Sequence, residues 1–176
     1  MDLGESAEAF EDRCRVLLSE TGELDRLCSV NGSLEQADEA IVERCLETIA
    51  LAAEHGVDTR HAELASRLAE ALSIRGEPLR GDSVLEMAQS CLFEVENFEL
   101  AAQVGLKLFD SKWGRGFGPE QLEGHLQETL DQARQVGGSV YASLLLRYAY
   151  LCSSTNRREV SLRHYEEARD VFRTIG

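Results

Sequence analysis

Between Val140 and Gly176, small and apolar residues recur every three or four positions in two successive runs, and this spacing limits the chain to helix there. In the first run Ala142, Leu145, Ala149 and Cys152 fall on one face of a 3.6-residue helix. In the second, Val160, Ser161, His164, Tyr165, Ala168 and Phe172 do the same. Small side chains at Ala149, Cys152, Ser161 and Ala168 allow two helices to approach closely, with Tyr165 and Phe172 filling the space beyond them. The polar stretch between the runs is short, so the segment is predicted to be a helical hairpin.

The same period extends upstream. Ala7, Phe10, Cys14 and Leu17 mark a helix over about residues 5–20, and Leu24, Leu27 and Cys28 mark a short one before Asn31-Gly32. Ser33 and Gln36 have capping-box spacing and open a long helix striped by Leu34, Ala37, Ile41, Cys45, Ile49 and Ala52, with Gly56 placed to end it. Asp58 is placed to cap a helix carrying Leu64, Leu68, Ala71 and Leu72, which Gly76 and Pro78 stop. Ser83 and Glu86 again have capping-box spacing, before Leu85, Ala88, Leu92 and Val95. A helix over 98–110 follows, with Ala101, Val104, Gly105 and Leu108 on one face. Only two prolines occur, β-branched residues are sparse, and Ala, Leu, Glu and Arg are abundant. The expected fold is all-α, about eight helices in sequential antiparallel order.

The hairpin at 140–176 resembles a tetratricopeptide repeat, a family that places a bulky residue early in the first helix and small residues where the helices cross. Leu145, Ala149, Ser161, Tyr165 and Ala168 stand at the matching places, while Cys152 stands where an aromatic is common. The segment 82–112 is similar, through Leu85, Ala88, Leu92, Ala101 and Leu108, with Gly105 at a usual aromatic position. Glycine there costs a helix about 1 kcal/mol relative to alanine, which suggests a close contact, with Trp113 or Phe117 as its partner. Such repeats recur every 34 residues, yet Leu85 and Leu145 lie 60 apart. The expected organisation is therefore a single irregular α-solenoid: N-terminal helices over 1–80, hairpins at 82–112 and 140–176, and an inserted helix at 119–136 striped by Leu122, Leu126, Leu130 and Ala133. The resemblance implies a non-catalytic scaffold or adaptor that binds another protein.

Charge and cysteine usage narrow the partners. A net charge of −14 opposes attraction to phosphate backbones and anionic membranes, so neither nucleic acid nor membrane is expected. Residues 1–40 hold 11 acidic and 3 basic side chains, residues 141–176 hold 4 and 6. Five separated cysteines without a C-x-x-C pair, and an N-terminus lacking a basic, then apolar leader, point to a reducing cytoplasm. No two of His55, His61, His125 and His164 are three or four residues apart, and no paired Glu-x-x-His occurs, so no metal or cofactor is expected. His125 and His164 read as residues bordering the core.

The partner-binding candidates fall into three groups. In the repeat family the first helix of each hairpin lines the inner face, which here implies Glu86, Ser90, Phe93 and Glu94 in one hairpin and Leu146, Tyr150 and Ser153 in the other. That mixture of acid and aromatic suits a peptide or helix with basic and apolar side chains. It lacks the Lys and Asn positions with which some members clamp a terminal carboxylate. The second group is the glycine-rich loop 112–118, where Lys112, Trp113, Arg115 and Phe117 place two cations beside two aromatics, a composition favoured at binding hot spots. Its GRGFG lacks the preceding strand and following Lys-Ser/Thr of a phosphate loop, and Pro119 suits a helix start. The third is Arg158, on the Arg-rich second helix of the last hairpin. Repeat arrays end in a polar capping helix, yet this sequence stops where a C-cap belongs, so another chain or further repeats should cover that face. A homo-oligomeric or obligate-complex subunit is thus the alternative, and a helical enzyme or small-ligand bundle a second one.

Overall fold

The computed structural model describes residues 36–55 and 59–176, together with Glu8, Ala9, Asp12, Arg15 and Val16. Those five isolated residues are helical. The remainder of the two helices expected before Asn31, and the caps at Ser33, Gly56 and Asp58, lie outside the described residues. Among the described residues the protein is all-helical, with seven helices and no strand: α1 (Gln36–His55), α2 (Thr59–Ile74), α3 (Pro78–Glu94), α4 (Phe98–Gly114), α5 (Pro119–Ala133), α6 (Gly138–Ser154) and α7 (Arg158–Ile175). The chain divides into two compact units, Met1–Asn97 and Phe98–Gly176.

Two helix boundaries differ from the sequence expectation, one start and one end. Helix α3 begins at Pro78, not Ser83. Proline is accommodated at a first helical position because the N–H it lacks would have no intrahelical partner. Ser83 is consequently interior, and its hydroxyl donates to the Leu79 carbonyl at 3.2 Å instead of capping. Helix α4 continues to Gly114, so Lys112 and Trp113 are helical and only 115–118 form the turn. Pro119 does open α5 as expected, and the Gln121 side chain accepts the Gly118 N–H at 3.0 Å. Glycine has no side chain to return the bond, so only half of a capping box forms.

Four of the turns share one construction. Gly76, Glu96, Gly116 and Asn156 all have positive φ, at intervals of 20, 20 and 40 residues. After each, a backbone N–H reaches back over the helix end: Glu77 to Leu72 at 2.8 Å, Asn97 to Leu92 at 2.9 Å, Phe117 to Lys112 at 3.2 Å and Arg157 to Cys152 at 2.8 Å. This is the Schellman arrangement, which satisfies carbonyls the helix leaves open. The buried positions follow the same 20-residue interval. Val42, Ala62, Asp82, Ala102 and Ala142 are buried, as are Cys45, Ala65, Leu85, Gly105 and Leu145, and Ile49, Ala69, Gln89, Phe109 and Ala149. The 60 residues between Leu85 and Leu145 therefore equal three helix-plus-turn intervals.

In the first unit α2 packs along α3, and α1 contacts both. Gly81 makes the α2–α3 approach possible, because a Cβ there would lie 2.8 Å from the Ala69 carbonyl oxygen. Asp38 on α1 receives a 2.7 Å bond from the buried Arg75 guanidinium in the α2–α3 turn. Nearby, Arg80 donates to Glu39 at 2.9 Å and to Glu43 at 3.0 Å. His61 is fully buried, its Nε2 3.2 Å from the Ile49 carbonyl oxygen.

In the second unit each helix packs on the next, and α4 also touches α6. Its core joins Phe109, Leu122, Leu126, Leu130, Leu144, Leu145, Leu151 and Ala168. Helices α6 and α7 are antiparallel: the Ser161 hydroxyl donates to the Ala149 carbonyl at 2.8 Å, and the Tyr141 hydroxyl bonds Glu167. Ser161, His164 and Ala168 are buried as the sequence pattern predicts. Tyr165 and Phe172, expected to fill the space beyond these small residues, each remain 37% exposed.

Candidate functional site

The second unit holds an open cleft of about 430 Å³ whose walls come from three helices. Helix α4 supplies Phe109, Asp110 and Trp113, helix α6 supplies Leu146, Arg147 and Tyr150, and helix α7 supplies Tyr165. Continuation of α4 through the glycine-rich stretch puts Phe109 and Trp113 one turn apart on one face. Their rings stack with centroids 5.8 Å apart and 16° between planes, and Tyr150 meets Trp113 edge-on at 5.3 Å. Phe109 is buried and anchors the set, whereas Tyr150 is 51% exposed and forms its open edge. Beside the aromatics, Arg147 holds Asp110 bidentately, with Nε to Oδ1 at 2.6 Å and Nη2 to Oδ2 at 2.9 Å. This fork geometry places one cation and one carboxylate in fixed positions beside an apolar floor.

The cleft unites three of the sequence candidates, Trp113, Leu146 and Tyr150. Other candidates lie elsewhere. Phe117 is half-buried against the core of the second unit, and Arg115 covers its ring with the guanidinium carbon 5.2 Å from the centroid. The Arg115 Nε also donates to the Ser111 carbonyl at 3.3 Å, so the turn is internally tied. Arg158 is exposed beside a hollow of about 690 Å³. Among the described residues that hollow is lined by the consecutive residues 156–160, which come from one turn and the start of α7. In the first unit, Glu86, Ser90 and Glu94 are exposed and Phe93 half-buried along one face of α3.

Phe109, Asp110, Arg147 and Tyr165 were not among the sequence candidates. Phe109 and Trp113 have the i, i+4 spacing of one helical face, but the run of glycines after Trp113 reads as a loop and hides it. The 37-residue separation of Asp110 and Arg147 carries no local signal at all.

A polar seam runs on another side of this unit. Glu123 accepts hydrogen bonds from Arg157 and, at 3.2 Å, from Tyr148, and the Arg157 bond holds its carboxyl below the usual carboxylate range. Burial, reinforced by Glu123, pushes the Tyr148 phenol up. His164 lies edge-on to Tyr148 at 5.1 Å, and burial holds its imidazole below the ordinary histidine value. Burial also raises the Cys152 thiol, which therefore stays protonated and weakly nucleophilic. Cys45, Cys91 and Cys152 are all buried.

Among the described residues no cluster of His, Cys, Asp and Glu could hold a metal ion, and no helix is long and apolar enough to cross a membrane. No protein-family model matches the chain, and no curated protein or solved structure is significantly similar to it.

Proposed function

We propose that this protein is a non-catalytic helical-repeat module, similar to tetratricopeptide repeats, that binds a peptide or helix of a partner protein. The observation that carries this reading is the cleft over Trp113 and Tyr150: a stacked aromatic floor, open to solvent, next to an ordered Arg147–Asp110 pair. Aromatic side chains offer a large contact area with little rotamer entropy to lose, which favours capture of an apolar anchor residue. A net charge of −14 favours a ligand with basic residues flanking that anchor. The uniform helix-plus-turn interval and shared buried register support a solenoid arrangement and a scaffold role, since each helix presents the same face to its neighbours.

Trp113 is the only tryptophan of the chain, so ligand entry can be read from its fluorescence. Titration with a panel of short synthetic peptides combining Lys/Arg with Leu, Phe or Trp should shift the emission saturably for a subset. Tyr150→Ala should weaken those peptides by about tenfold or more, the cost of losing one hot-spot aromatic. Phe93→Ala, in the other unit, serves as the comparison variant. Unchanged affinity in Tyr150→Ala would remove the cleft from the binding surface.

A further inference from the structure

Helix α7 exposes residues at the register its counterparts bury. Leu162, Tyr165, Arg169 and Phe172 stand 20 residues after Ala142, Leu145, Ala149 and Cys152, all of which have no solvent exposure. On α7, Leu162 is 62% exposed and Tyr165 and Phe172 are each 37% exposed. The spacing of 162, 165, 169 and 172 alternates three and four residues, which makes a straight seam suited to a facing helix. We infer that this seam is a contact with a second copy of the chain, α7 packing antiparallel on α7 about a two-fold axis near Glu167.

Charge favours this occupant and this direction. Reversing the seam on itself sets Leu162 opposite Phe172 of the second copy and Tyr165 opposite Arg169, a pairing of ring face with guanidinium. Along the flank, Glu159, Glu166 and Arg173 recur at seven-residue intervals. The antiparallel arrangement brings Glu159 against Arg173 of the second copy, twice by symmetry. Glu159 is exposed, and the ion-pair contact of Arg173 among the described residues is a long one, 3.9 Å to Asp170. A parallel arrangement would instead oppose Arg169 to Arg169 across the seam and separate Glu159 from Arg173. One like pair remains in the antiparallel form, Glu166 near the axis, and it moderates the association.

Sedimentation velocity on the full chain tests the contact. A single helix pair buries a small interface, so dissociation constants on the order of 10 µM are expected, with dimer growing in between about 1 and 300 µM. Leu162→Glu should raise the dissociation constant at least about tenfold, with unchanged far-UV circular dichroism showing that it still folds. Arg173→Glu should weaken the dimer, and Glu159→Arg combined with Arg173→Glu should restore it, while Glu166→Gln should tighten it. A wild type monomeric throughout that range, a dimer indifferent to Leu162→Glu, or a charge swap that fails to restore association would each overturn the inference. Tyr165 belongs both to the seam and to a wall of the Trp113 cleft and is therefore left unsubstituted; the residues changed here lie outside that wall, so failure here leaves the peptide-binding reading to its own test.

Discussion

His164 and Glu123 show how single residues set the acid response of the second unit. Around His164 lie the Tyr148 ring, Glu167 at 3.7 Å, and the charges of Arg163 and Arg134. Burial is the leading influence and lowers its folded-state pKa, with Glu167 opposing. Glu123 is lowered mainly by the Arg157 hydrogen bond. In both cases the unfolded chain takes up its proton at higher pH than the folded one, so stability is full above the ordinary value and is lost as pH falls. The histidine component begins near pH 6.5 and the glutamate component near about pH 4.3. Thermal melts in pH steps should therefore show a first decline that His164→Gln flattens and Glu123→Gln does not. A His164→Gln profile parallel to wild type would assign that decline to other groups. At this scale the sequence was partly legible. His164 could be placed beside the core from its spacing, but its contact with Tyr148 on α6 could not.

Two glycines in helix interiors have opposite expected effects, decided by what each faces. Gly81 lies on the α2 backbone, where a Cβ would sit 2.8 Å from a carbonyl oxygen, whereas a Cβ at Gly124 on α5 would meet nothing within 4 Å. Alanine at Gly124 should stabilise by up to about 1 kcal/mol through helix propensity. Alanine at Gly81 should destabilise by about 1–3 kcal/mol, because the backbone it meets cannot swing aside. Urea denaturation of the two variants checks the signs; a stabilised Gly81→Ala would mean that α2 and α3 can separate without loss. The two glycines look alike in sequence, each being an interruption of a helical pattern. The start of α3 illustrates the same ambiguity, since both Pro78 and Ser83 carry valid start signals and only packing of 78–82 onto α2 selects the first.

Across the chain, the pairing of Asp38 with Arg75 joins α1 to a turn 37 residues away within the first unit. The two side chains are only 10% and 2% exposed, so removing the acid takes a charged partner from a buried cation. Asp38→Ala should cost about 3–5 kcal/mol, and Asp38→Leu with Arg75→Met should recover most of it. Circular dichroism reports the whole chain, whereas Trp113 fluorescence reports the second unit alone. In Asp38→Ala the circular dichroism transition should move to lower urea ahead of the fluorescence transition. Two transitions moving together would show that the units unfold as one.

The sequence by itself determined that the described chain is helical and which stripe of each helix is apolar, because both follow from local spacing and from near-absence of proline. It also carried the 20-residue interval, which a 34-residue period does not match. Only the tertiary structure decided where α4 ends, which carboxylate meets Arg147, and that Tyr165 and Phe172 stay partly exposed. These depend on the distance between helix axes, which small residues such as Ser161 and Ala168 permit but do not specify. The aromatic cleft has the same origin, since its walls are residues 56 positions apart, from Phe109 to Tyr165, that meet only when α4, α6 and α7 are packed.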